Sequence, residues 1–215
     1  MEWMIKTNLF VIARGGITYV SFSLLAAIIF ALLGFEFFSF ISVVFFLAFS
    51  FIFRNPERQL LNFEAQSILS PVDGVVTAIE AIEDENAYGF CITIRSDYTH
   101  VSLLRTPINA QLAEFSLTKG AKLPSSSKHF ETLNENALLI FKDDSGNRVK
   151  VVHRLTQSFA PLNIDVINGD KLMKTTRYGL MVCGVTKIYL PSDVRVNVNI
   201  GSDVNASQTL LGFFS

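Results

Sequence analysis

Between Arg14 and Arg54 the chain carries a single charged side chain, Glu36. On either side of it lie two uncharged runs without glycine or proline, residues 17–33 and 37–53, separated only by Gly34-Phe35-Glu36. At a rise of ~1.5 Å per residue each run, as a helix, reaches about 25 Å, close to the hydrocarbon thickness of a bilayer. Helices that are apolar all round have no face to offer water, and a chain of 215 residues has little material to cover two of them. The pattern predicts a two-helix transmembrane hairpin over residues 17–53. The stretch is longer than the apolar part of a signal peptide, lacks a small-residue exit and is followed at once by a second run, so the anchor is expected to stay attached.

Lys6 and Arg14 precede the first run, Arg54 and Arg58 follow the second, and the turn between the runs has no basic residue. The positive-inside rule then places both termini in the cytoplasm, giving a multi-pass protein of the cytoplasmic membrane. Pro56 is expected to end the second helix at the bilayer surface, where Arg54 and Arg58 anchor the topology and meet lipid phosphates.

From Ile68 onward the continuous runs give way to short alternating stretches between turn residues, which reads as β structure. Strands are predicted at 75–82, 90–94, 137–141, 148–152, 194–200 and 210–214, with a hairpin loop at 142–147. Residues 124–136 are polar and without period, and are expected to form a mobile loop. The expected organisation is a cytoplasmic N-terminus (1–16), the hairpin (17–53), a membrane-exit linker (54–67) and an all-β, barrel- or sandwich-like cytoplasmic domain (68–215).

Composition narrows the chemistry. A formal net charge of −1 with no basic stripe argues against a nucleic-acid partner. Cys91 and Cys183 are too far apart for a paired-cysteine metal motif, and neither His129 nor His153 has a ligating residue at metal spacing, so no metal is expected.

Three motifs point in one direction. Phe53-Arg54-Asn55-Pro56-Glu57-Arg58, Ser70-Pro71-Val72-Asp73-Gly74, and the run from Gly179 through Tyr189-Leu190-Pro191 follow one another in an order that resembles the phosphatidylserine decarboxylases, particularly their shorter bacterial form. The resemblance spans nearly the whole chain. It implies conversion of phosphatidylserine to phosphatidylethanolamine and CO2 by a pyruvoyl group that the chain makes from its own serine. It also implies that Asp73 and His100 are catalytic and that the processing segment is Cys183-Gly184-Val185-Thr186. No serine stands between Ser158 and Ser192. Cys183 and Thr186 are the available substitutes, the first set one or two positions early and the second leading to a larger ketoacyl group. Asn136 stands where the family has an arginine suited to a carboxylate or phosphate.

The partner expected is membrane phospholipid, with the chain acting alone, as a homo-oligomer, or beside another protein of phospholipid synthesis. The alternative is a non-catalytic lipid-binding or assembly partner on the same fold. A further reading, independent of lipids, is a membrane-tethered β-domain that docks proteins.

Overall fold

The computed structural model describes residues 11–58, 63–82 and 88–214. These fall into two compact units, a helical one ending at Glu57 and a β unit beginning at Arg58.

In the helical unit a 3-10 turn, Arg14–Gly16, leads into α1, Ile17–Leu32, and then into α2, Glu36–Ile52. Gly34, at φ 76°, makes the reversal between them, a backbone state that glycine adopts without steric cost. Apolar helices still carry serines, and their hydroxyls are satisfied locally. Ser23 donates to the Val20 carbonyl, Ser42 to Phe38 and Ser50 to Phe46, while Ser39 reaches across to Ala27 of α1. Tyr19 stacks on Phe53, centroids 5.3 Å apart, which closes the open end of the pair. Most of the large side chains point outward, Phe37 at 70% and Leu32 at 81% exposure among them. The helix with its leading turn, Arg14–Leu32, is long and apolar enough to cross a membrane, whereas α2 is a shorter apolar helix of 17 residues.

The β unit is mostly sheet. Its strands are β1 (Ser67–Leu69), β2 (Gly74–Ala81), β3 (Tyr88–Ser96), β4 (Leu103–Arg105), β5 (Ala110–Thr118), β6 (Asn136–Lys142), β7 (Arg148–Leu155), β8 (Asn163–Ile164), β9 (Lys171–Leu172), β10 (Arg177–Leu180), β11 (Gly184–Pro191), β12 (Val194–Val196), β13 (Asp203–Val204) and β14 (Leu210–Phe214). The main sheet has the order β13-β2-β3-β11-β7-β6-β5-β9, and two three-stranded sheets, β1-β14-β12 and β4-β10-β8, share its apolar cluster. Alternation fixes which side faces in. On β6, Ala137, Leu139 and Phe141 are fully buried, and on β7, Val149, Val151, His153 and Leu155 are. β11 is internal, antiparallel to β3 on one side and β7 on the other.

Two sequence expectations meet a different outcome. The period-two run at 194–200 keeps strand geometry only through Val196, which pairs with Gly212, and Asn197 N then donates to the Leu211 carbonyl at 2.8 Å. Ile200, on the turn before Gly201, is then 64% exposed. The polar loop is pinned rather than loose. It contains a short helix, α3 (Phe130–Leu133), and the Asn134 amide donates to the carbonyls of Leu123 and Leu155 at 2.8 and 2.7 Å.

Candidate functional site

The turn before β2 holds a buried ion pair. Arg58 grips Asp73 through two parallel bonds, Nη1 to Oδ1 at 2.7 Å and Nη2 to Oδ2 at 2.5 Å, with side-chain exposures of 8% and 6%. The Ala206 N–H donates to Asp73 Oδ1 at 2.8 Å, and the Ala206 carbonyl accepts from Arg58 at 2.5 Å. Two parallel charge-assisted bonds suit a planar guanidinium and a carboxylate. Arg58, expected at a lipid surface, therefore has its guanidinium engaged inside the protein. Arg54 sits differently, its guanidinium 4.2 Å over the Phe51 ring and donating to the Phe51 carbonyl at 2.9 Å, both in the helical unit.

Strand register carries this turn toward the 183–186 segment. Ser96 donates to the Asp73 carbonyl at 2.5 Å, and Ser96 lies opposite Gly184 across the β3–β11 ladder. Gly184 has to be glycine, since a Cβ there would fall 2.5 Å from Met181 Sδ and 2.6 Å from the Arg154 carbonyl.

His100 belongs to the turn after β3. Its Nδ1 accepts from the Asp97 N–H at 3.1 Å and lies 2.8 Å from Asp97 Oδ1. Burial alone would raise the Asp97 pKa, but bonds from Thr99 and the neighbouring His100 outweigh it and hold the carboxyl below its ordinary range.

Asp97 also acts on Cys183. Burial pushes that thiol up, and the nearby Asp97 charge adds to the rise while Arg95 offsets part of it. A thiol so placed keeps its proton near neutrality and is a poor nucleophile. The Cys183 carbonyl accepts from Thr156 N at 3.2 Å, and Met181 N donates to the Ser102 carbonyl at 2.8 Å. Asp73, the 97–100 turn and residues 181–184 thus converge on one end of the β2-β3-β11 part of the sheet.

Thr186 is two residues into β11 and fully buried. Its hydroxyl lies 2.8 Å from His153 Nδ1, and His153 Nε2 lies 2.6 Å from the Tyr178 hydroxyl. One ring nitrogen donates and the other accepts, as a neutral imidazole must. Burial holds the His153 pKa down to about 3 and pushes the Tyr178 phenol well up, so the trio stays uncharged. Sequence reasoning gave His153 no role, although its place in the alternation of β7 already turned it inward. Nothing in the local sequence marked Arg58 as the partner of Asp73, fifteen residues on.

These residues do not fit a self-made pyruvoyl group. Making one needs a nucleophile free to attack the preceding carbonyl, on a peptide that can distort. Val185 has no nucleophilic atom. Thr186 and Val185 are paired on both sides, with Ile94 and Arg95 of β3 and with His153 and Arg154 of β7. The Thr186 hydroxyl is already bonded to His153, and Cys183 is buried and protonated. Among the described residues no group of three His, Cys, Asp or Glu is arranged to hold a metal ion.

The β unit, with an Asp-Gly turn set beside the start of an internal strand, is of the decarboxylase class. The chain belongs to the phosphatidylserine decarboxylase family, whose model, described as Phosphatidylserine decarboxylase, matches residues 45–212. Among similar curated proteins is the phosphatidylserine decarboxylase proenzyme of Geobacter metallireducens, 30% identical over 209 residues, covering 94% of this chain and 95% of that protein. Those of Syntrophotalea carbinolica and Paraburkholderia phymatum are 27% and 28% identical, each over 94% of this chain and 96% of theirs.

Proposed function

We propose that this chain is a membrane-anchored, phosphatidylserine decarboxylase-like protein of phospholipid metabolism that engages phosphatidylserine headgroups as a single uncleaved polypeptide. The observation that carries the reading is the family match, which runs through the β unit and across residues 183–186, where this chain has Cys-Gly-Val-Thr and no serine. Both apolar helices cross the bilayer in this reading, with both termini on the cytoplasmic side, and the partner is membrane phospholipid. Asp73 and His100 remain the proposed site residues, Asp73 as a fixed anion held by Arg58 and His100 as the group able to exchange a proton beside residues 181–184.

The test is selective lipid retention. Full-length protein in nanodiscs of mixed phosphatidylserine and phosphatidylcholine, released for native mass spectrometry, should keep phosphatidylserine several-fold over its share of the disc. Retention in proportion to disc composition would remove the headgroup from the proposal.

A further inference from the structure

The rim around residues 181–184 is apolar where it meets solvent. Phe159, 41% exposed, stacks on Tyr98 with centroids 5.9 Å apart and planes 5° from parallel. Leu133, at the end of α3, is 54% exposed. Hydrogen bonds bring the segments bearing these side chains together. The Tyr98 hydroxyl donates to the Gln157 carbonyl at 2.5 Å, Gln157 N to the Lys122 carbonyl at 3.0 Å, Lys122 Nζ to the Ala160 carbonyl at 3.1 Å, and Ala121 N to the Leu133 carbonyl at 2.8 Å. Thr156, next to Gln157, holds the Cys183 carbonyl, so this rim belongs to the site.

Two carboxylates of the rim have basic partners, Glu131 with Arg154 and with Lys187 at 2.8 Å and Glu135 with Lys119 at 2.6 Å, and Asp97 accepts from the Thr99 hydroxyl at 2.6 Å. Lys128, in the same loop, stays exposed. Exposed aromatic and aliphatic side chains near an exposed amine, with Glu131 and Glu135 paired to basic side chains, match the headgroup layer of a bilayer, where rings sit at the interface and amines meet lipid phosphates. The chain also carries a helix long and apolar enough to cross a membrane.

We propose that this rim is an interfacial docking surface: Phe159 and Leu133 enter the headgroup region of a phospholipid bilayer, Lys128 meets its phosphates, and the 181–184 segment is thereby presented to lipid. The inference rests on the lipid reading above, but concerns the bilayer surface rather than one headgroup.

The experiment uses full-length protein with its one tryptophan, Trp3, changed to phenylalanine and a single probe introduced as Phe159→Trp, Leu133→Trp or Ser145→Trp. Ser145 lies in the β6–β7 hairpin loop, about 25 Å along β7 from the Leu155 end. Nanodiscs of phosphatidylcholine and phosphatidylglycerol, with lipids brominated high in the acyl chain, keep phosphatidylserine recognition out of the readout. Quenching of about twofold at position 159 or 133, with none at 145, is the expected result for side chains at the interface. No quenching at 159 and 133 overturns the proposal, as does equal quenching at all three. So does shielding of 159 and 133 from aqueous iodide without bromine quenching, which would indicate a protein contact.

Discussion

Arg58 and Asp73 are each the answer to the other's burial. A carboxylate this far from water needs a compensating charge, and the guanidinium provides one in the geometry that makes two bonds rather than one. Removing one partner leaves the other charge buried and uncompensated. Arg58→Ala should therefore lower stability by about 3–5 kcal/mol, and Arg58→Lys should recover only part of the loss because an ammonium cannot match both oxygens. Urea unfolding of the β unit's signal checks this. A loss near zero would mean that the pair is a surface contact and Asp73 is free for other work.

At the scale of elements, His153 pins three strands, since it stands on β7 and bonds Thr186 of β11 and Tyr178 of β10. Because its folded pKa is depressed to about 3 from an ordinary 6.5, the unfolded chain takes up a proton first as pH falls. Its contribution is intact above pH 6.5 and is lost progressively toward pH 3, by as much as about 1.4 kcal/mol per pH unit. His153→Gln should be less stable at neutral pH yet show a shallower acid limb. Urea midpoints of both proteins between pH 4 and 7.5 test this, and parallel acid limbs would contradict it.

The elements also show what was legible beforehand. The inward positions of β6 and β7 were readable because a period of two has one buried face, and the two apolar helices because apolar runs without glycine or proline leave few alternatives. The Arg58–Asp73 pair, the His153–Thr186–Tyr178 trio and the short strands β4, β8 and β9 were not. Each depends on which strands become neighbours, a non-local outcome that no single stretch of sequence encodes. His100 was marked only by the family resemblance, and its convergence with residues 181–184 follows from the β3–β11 register.

The whole molecule joins a family fold to a 183–186 segment without serine. Residues 184–191 form an interior strand paired with β3 and β7, and the segment at its start has no serine. In the proposed reading the chain is one polypeptide in its working state, with lipid held at the site and no carbonyl cofactor arising within it. The most direct test is the intact mass of the purified full-length protein, taken before and after treatment with a carbonyl-reactive hydroxylamine. One species at the full 24.0 kDa, unchanged by the reagent, is predicted. Two chains, the smaller beginning between residues 183 and 186 and gaining the mass of an oxime, would contradict the account.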